Sequence, residues 1–268
     1  MFQLITYLSS AITLLSVLFA ISSFIPRAIK YFNRGRYIKN ILLSKGPISL
    51  SFPIHENVVS NSLAKEYNMI VLDEVIVSKN VINFCNEINK TVFIFTEKNI
   101  PQDVDDFHIG GPLSNSRVNV ILKSRFADKF VIHVPKRLKP TYETKEIDTW
   151  CVEYNTTDSD FAYTFGNSDT DKKKHHYEVI EGAFDLIFLI RIAGDKAEHI
   201  LFCTFGTNAQ KAVNYLTTNT KRLYKILKNR GRLKSNYFIV MPIHTSVRSV
   251  DSFAYTDDVI DLTDTMFK

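Results

Sequence analysis

His108-Ile109-Gly110-Gly111-Pro112-Leu113-Ser114-Asn115 is the stretch on which the reading of this chain turns. An apolar run, Phe107 to Gly111, enters two adjacent glycines, and a helical pattern, Leu113 to Arg125, leaves them. Glycine accepts backbone angles and close approaches that a Cβ forbids. Pro112 suits the first turn of a helix, and Ser114 or Asn115 can cap its free N–H groups. A strand passing this abruptly into a helix is the building unit of a parallel α/β sheet.

The same alternation continues on both sides. Upstream, Ile48 to Ile54 and Met69 to Val77 read as strands, Ser78 as the cap of a helix over Asn80 to Lys90, and Thr91 to Thr96 as a strand. Downstream, Phe130 to Val134, Tyr177 to Glu181, Ala183 to Ile192, Glu198 to Phe205 and Tyr237 to Ile243 read as strands, with one long helix over Ala209 to Arg230. Short apolar runs separated by helices predict a Rossmann-like, mainly parallel sheet with helices on both faces. Residues 135–176, which hold the single tryptophan, Trp150, lose this rhythm and are expected to form a β-rich or loop insertion.

No charged side chain occurs from Met1 to Pro26. Leu4 to Ile25 would span about 33 Å as a helix, enough for a hydrocarbon core of about 30 Å. A cleaved signal would want a basic leader before a shorter apolar run, and neither is present. Residues 1–26 are therefore expected to be a transmembrane helix, 27–45 a basic juxtamembrane helix or linker, and 46–268 the α/β domain.

The chain of 268 residues has a formal charge of +5, which taken alone invites a nucleic-acid partner. The position of that charge argues otherwise. Arg27, Lys30, Arg34, Arg36, Lys39 and Lys45 precede the first acidic residue, and beyond them 27 basic residues face 28 acidic ones. Such a flank predicts the amino terminus outside and the domain in the cytoplasm, at the plasma (inner) membrane of the cell. Arg27, Lys30, Arg34, Arg36 and Lys39 are expected to contact anionic headgroups. Ser9, Ser16 and Ser23, with Thr6, Thr13 and Ala20, recur at seven-residue spacing and suit contacts between spans in a homo-oligomer.

Two turns carry the ligand expectation. A strand-to-helix turn points backbone N–H groups and a helix dipole at one spot, which favours an anion. Gly110, Gly111, Ser114 and Asn115 form the first, and Gly206, Thr207 and Asn208 the second. In a parallel sheet both lie at the carboxyl ends of strands, where crevice ligands bind. A turn serving the fold alone is an equal alternative for each. Asp73 and Glu74, at the end of a strand-like run, would reach the same edge as ribose-hydroxyl partners or a general base, or serve only as caps.

Other chemistry is thinly represented. The dinucleotide fingerprint, the P-loop and the nucleophile elbow are all missing, and no catalytic residue is assigned. The seven histidines lack metal-ligand spacing, and no metal or cofactor is expected. His108 and His133 read as core residues. Cys85, Cys151 and Cys203 show no paired spacing and read as reduced thiols. Part of the basic run Lys221, Arg222, Lys225, Lys228, Arg230, Arg232, Lys234 complements a helix carboxyl-terminal dipole; it could equally pair with the acidic tail, face the membrane or steer an anionic ligand, with nucleic acid a poor fourth.

An anchor followed by a Rossmann-like domain with the turns Gly110 to Asn115 and Gly206 to Asn208 resembles bacterial single-pass membrane effectors. In those, a cytosolic domain of CARF or SAVED type senses a nucleotide signal in antiviral defence. The resemblance implies a small nucleotide-like ligand, self-association and signalling to, or perturbation of, the membrane. An anchored enzyme on a nucleotide or sugar nucleotide, and a ligand-free scaffold, are the alternatives.

Overall fold

The structure, a computed structural model, describes residues 2–52, 55–60, 65–69, 72–96, 104–112, 115–127, 129–135, 151–154, 161–165, 175–179, 184–203, 209–244 and 259–268. The chain begins with α1 (Phe2–Leu42), then β1 (Ile48–Phe52), the hairpin strands β2 (His55–Ser60) and β3 (Lys65–Met69), and α2 (Leu72–Asn86). Next come β4 (Val92–Thr96), β5 (Asp105–Ile109), α3 (Ser116–Phe126), β6 (Phe130–Pro135), β7 (Cys151–Tyr154), β8 (Phe161–Phe165) and β9 (His175–Val179). The last part holds β10 (Phe184–Ile192), β11 (Glu198–Cys203), α4 (Ala209–Thr218), α5 (Thr220–Asn229), β12 (Tyr237–His244), β13 (Ile260–Asp261) and α6 (Thr263–Phe267).

The main sheet has seven strands in the order β13-β12-β10-β11-β5-β1-β4. From β11 to β4 every pair is parallel, and from β11 to β13 every pair is antiparallel. The sheet is therefore mixed, and the mainly parallel expectation describes one half. Residues 193–197 alone join β10 to β11, too few for the dozen or more that a parallel crossover needs.

One face of the sheet offers Leu50, Phe107, Ile109, Leu189, Leu201 and Ile239 to α2, α4, α5 and the last turns of α1. The other offers Leu186, Phe188, Ile190, Ile200, Phe202 and Phe238 to α3, α6 and a second sheet of order β7-β6-β8-β9. Helices thus flank both faces, and on the second face a sheet shares the cover with α3 and α6. Flat aromatic rings fill the gap between the sheets, with Phe188 stacked on Phe202 at 4.3 Å and on the same side Phe130 stacked on Tyr163 at 5.9 Å. Strands β7 and β8 and the start of β9 come from the segment expected to be an insertion.

Two local expectations are also corrected. Met69 to Val77 divides between the end of β3 and the start of α2, and Ser78 lies buried within that helix rather than capping it. Val77, Val81, Phe84 and Cys85 share its buried face at helical spacing, so tertiary burial overrides the strand preference of β-branched residues. The long helix over Ala209 to Arg230 is two helices, parted at Asn219. Thr217 and Thr220 donate hydroxyl hydrogen bonds to the carbonyls of Val213 and Leu216, competing with the helix ladder there.

α1 runs for 41 residues, with Pro26 inside it. Ile38, Ile41 and Leu42 belong to the core, so the packed body begins within this helix, ahead of Gly46. Leu43 takes a left-handed φ of 51° and its N–H bonds to Lys39 O at 2.9 Å, which ends the helix. Among the described residues no helix is long and apolar enough to cross a membrane, and the side chains of residues 2–12 are not among those described.

Candidate functional site

The turn after β5 is held from within. Gly110 has φ 99°, open to glycine and strained for other residues. Its N–H bonds to Leu201 O on the neighbouring strand at 3.1 Å. A Cβ at Gly111 would stand 3.2 Å from Cδ2 of Phe202, so the second glycine lets the turn lie on that ring. Asn115 is fully buried and is the N-cap of α3: its Oδ1 accepts from Arg117 N and Val118 N, each at 3.1 Å. Its Nδ2 donates to Ile109 O at 2.9 Å. The donors expected to cradle an anion are thus largely used by the protein's own side chain.

A stability test separates the two uses of these glycines. Gly110→Ala and Gly111→Ala are each expected to cost about 1–2 kcal/mol, from left-handed strain in one and overpacking against Phe202 in the other. Thermal melts of the two variants measure this. Melting unchanged in both, with ligand binding lost, would mean the turn is kept for a ligand and not for the fold.

The remaining expected residues are placed as follows. Asp73 and Glu74 lie in the first turn of α2 rather than at a strand end. Because α2 links β1 to the parallel strand β4, that turn still stands at the carboxyl edge of the sheet. Ser114, Gly206, Thr207 and Asn208 lie outside the described residues. On α1, Arg27, Lys30, Arg36 and Lys39 are exposed. Arg34 is not available to headgroups in the same way: its Nε and Nη2 clasp the Glu87 carboxylate, and its Nη1 donates to Thr220 Oγ1 at 3.3 Å.

What the motifs did not reveal is a polar strip under α3. The parallel register sets Ser49 beside Asp106 and Ser51 beside His108, and alternation turns all four away from the apolar neighbours Leu50 and Phe107. Each is at most 1% exposed. Ser51 Oγ is 2.6 Å from His108 Nδ1, and Lys196 Nζ donates to Asp106 Oδ2 at 2.9 Å. Burial, with the positive charges of Arg117 and Lys196, pushes the His108 imidazole down to about 3. Burial also raises the Asp106 carboxyl, against the pull of Lys196. Ser49 Oγ, Asp106 Oδ1, His108 Nε2 and Arg117 Nε find no hydrogen-bond partner among the described residues.

The chemistry of this strip follows from those values. An imidazole with so low a pKa is a poor general base near neutrality, where a catalytic base is best matched to the working pH. Buried polar groups with unmet bonds instead suit a bound water or a polar ligand group. The alternation of serines on β1 was the available sequence signal, visible as Ser49 and Ser51 within an apolar run.

A second polar cluster lies on the opposite face of the sheet and holds the end of α1. Arg191 Nη1 donates to Asn40 O at 2.9 Å and Ile41 O at 2.8 Å, and His199 Nε2 donates to Leu42 O at 2.6 Å. Asp105 gathers the loop that follows, accepting from Lys45 N at 2.9 Å and Ala197 N at 2.7 Å. Burial pushes its carboxyl upward, but these backbone donors outweigh it and hold the pKa below the ordinary value. Three helix carbonyls that would otherwise be orphaned are therefore capped by strand side chains.

Compared with protein-family models, with curated proteins and with solved structures, the chain matches none.

Proposed function

We propose that this chain is a single-pass, membrane-anchored sensor or effector, with its α/β body in the cytoplasm and its amino terminus outside. The observation that carries the reading is α1. Phe19, Ile21, Phe24, Ile25 and Ile29 are all about half or more exposed, and at 100° per residue they lie around most of the helix circumference. A helix apolar on all sides needs an apolar surrounding, and Met1 to Pro26 brings no charge into one. The same helix ends inside the core, capped by Arg191 and His199, so movement of the body is passed along α1 toward the span.

The ligand in this reading is small, anionic and nucleotide-like. Its support is the polar strip at β1 and β5, where Arg117 and Lys196 bring positive charge beside unmet donors and acceptors. Ligand binding would alter the packing of α3 on the sheet and the self-association of spans, which then signals to or perturbs the membrane.

The test uses the full chain in lipid nanodiscs, offered mononucleotides and cyclic oligonucleotides in a thermal-shift assay. A true ligand at about a hundred times its Kd is expected to add about 2.7 kcal/mol of stability. The gain should vanish in Arg117→Ala. Turnover of a nucleotide would favour an anchored enzyme instead, and no shift with any compound would leave a scaffold.

A further inference from the structure

The basic run from Lys221 to Lys234 is divided by the fold. Two arginines of its far half are paired within the protein: Arg230 with Asp261 at 3.3 Å, and Arg232 with Asp264 at 2.6 Å. Its near half lies along α1. Arg34 reaches Thr220, and the Tyr37 and Tyr224 rings meet at 4.6 Å, so α5 runs parallel to α1 with its first turn level with Arg34. Lys221 and Lys225 are exposed on that helix, and among the described residues neither has an ion-pair partner. Neither α4 nor α5 contains an acidic residue, and the nearby Glu87 is occupied by Arg34.

Distance then becomes informative. Ile29, Tyr31 and Phe32 are 54%, 60% and 75% exposed, apolar and aromatic residues suited to the interface between charge-free helix and water. At about 1.5 Å per residue, Arg34 stands about 12 Å beyond Pro26. The headgroup layer occupies about 5–8 Å of that distance. The first turn of α5 is then within about a Debye length, roughly 8–10 Å, of the lipid phosphates. Because α1 enters the body without a break, the body cannot swing away from the surface.

Resting on the anchor reading above, we infer that the α4–α5 junction is a second membrane-contacting surface, with Lys221 and Lys225 seated on anionic headgroups beside Lys30 and Arg36. The body thereby lies against the bilayer. The charge is of one sign and lies at the end of α5 nearest the span.

The test uses the full chain, with Cys151→Ser, reconstituted into phosphatidylcholine vesicles with or without phosphatidylglycerol. A fluorophore is placed on Thr218→Cys at the junction, or on Lys268→Cys beside Asp264 at the far end. Headgroup-spin-labelled lipid is expected to quench the junction dye several-fold more than the far one when phosphatidylglycerol is present. Lys221→Ala should weaken docking about five-fold, and Lys225→Ala, in the next turn of α5 and further from the surface, by less. Equal quenching at the two sites in a chain that resists alkaline carbonate extraction overturns the docking surface alone. Release of the chain by carbonate overturns the anchor, and this surface with it.

Discussion

Arg191→Ala is expected to destabilise the protein by about 3–5 kcal/mol, because it leaves several buried carbonyls without a donor at about 1–3 kcal/mol each. Against a total stability of about 5–15 kcal/mol, that brings the fold to the margin. The reason lies in what surrounds the guanidinium. It is fully buried, yet no carboxylate among the described residues pairs with it. Its partners are the carbonyls of Asn40, Ile41, Arg232 and Ser235, with the Tyr237 ring 4.5 Å from Cζ. The carboxyl end of α1 adds partial negative charge of the right sign. Burial lowers the pKa of Arg191, and the Tyr237 contribution only partly opposes it.

The conservative variants sharpen that expectation. A lysine carries one ammonium and cannot fork between α1 and the 232–235 turn, so Arg191→Lys should still cost about 2–3 kcal/mol. Urea or thermal unfolding of the full chain in detergent measures both. If Arg191→Met melted within about 0.5 kcal/mol of the parent, the guanidinium would not be the clamp described here.

Acidification is expected to produce the other large loss. His108 and His199 are both held near pKa 3 in the folded protein, each chiefly by burial, against 6.5 when unfolded. Below pH 6.5 the unfolded chain takes up two protons that the native state refuses. Their contribution to stability is complete above pH 6.5 and falls by about 2.7 kcal/mol per pH unit below it, down to about pH 3. Asp105 and Asp261, held below their ordinary values, add to the loss only at the acid end. Asp106, raised, works in the opposite direction. Melting temperatures between pH 7.5 and 5 should drop steeply, and His199→Gln or His108→Gln should each remove about half of the slope. A flat profile over that range would mean the two imidazoles are protonated in the native state.

Much of the sheet was readable because its strands are short apolar runs with a clear partner surface. β4, β5, β6, β10, β11 and β12 fall where the apolar runs place them. α2 was misplaced because Val75, Ile76 and Val77 look like a strand until the burial of Val81, Phe84 and Cys85 reveals a helical face. The second sheet was legible as irregular β structure, though its seat on Phe188 and Phe202 was not. The turn at Gly110 and Gly111 was found correctly, but its purpose was not decided by composition. A glycine pair suits a phosphate or a neighbouring ring equally well, and the 3.2 Å approach to Phe202 became visible only in the structure.

By itself, the sequence determined three things about this protein: a charge-free amino-terminal segment, a basic flank behind it, and an α/β body of near-neutral charge. Those are properties of local composition and period, which need no knowledge of distant partners. Tertiary structure decided the rest. That Arg34 belongs to Glu87, that Arg191 and His199 close the end of α1, and that Ser51 meets His108 depend on residues 53, 151, 157 and 57 positions apart. Hydrogen bonds and burial are set by which surfaces meet, and nothing in the local pattern of a strand says which helix end will be laid across it.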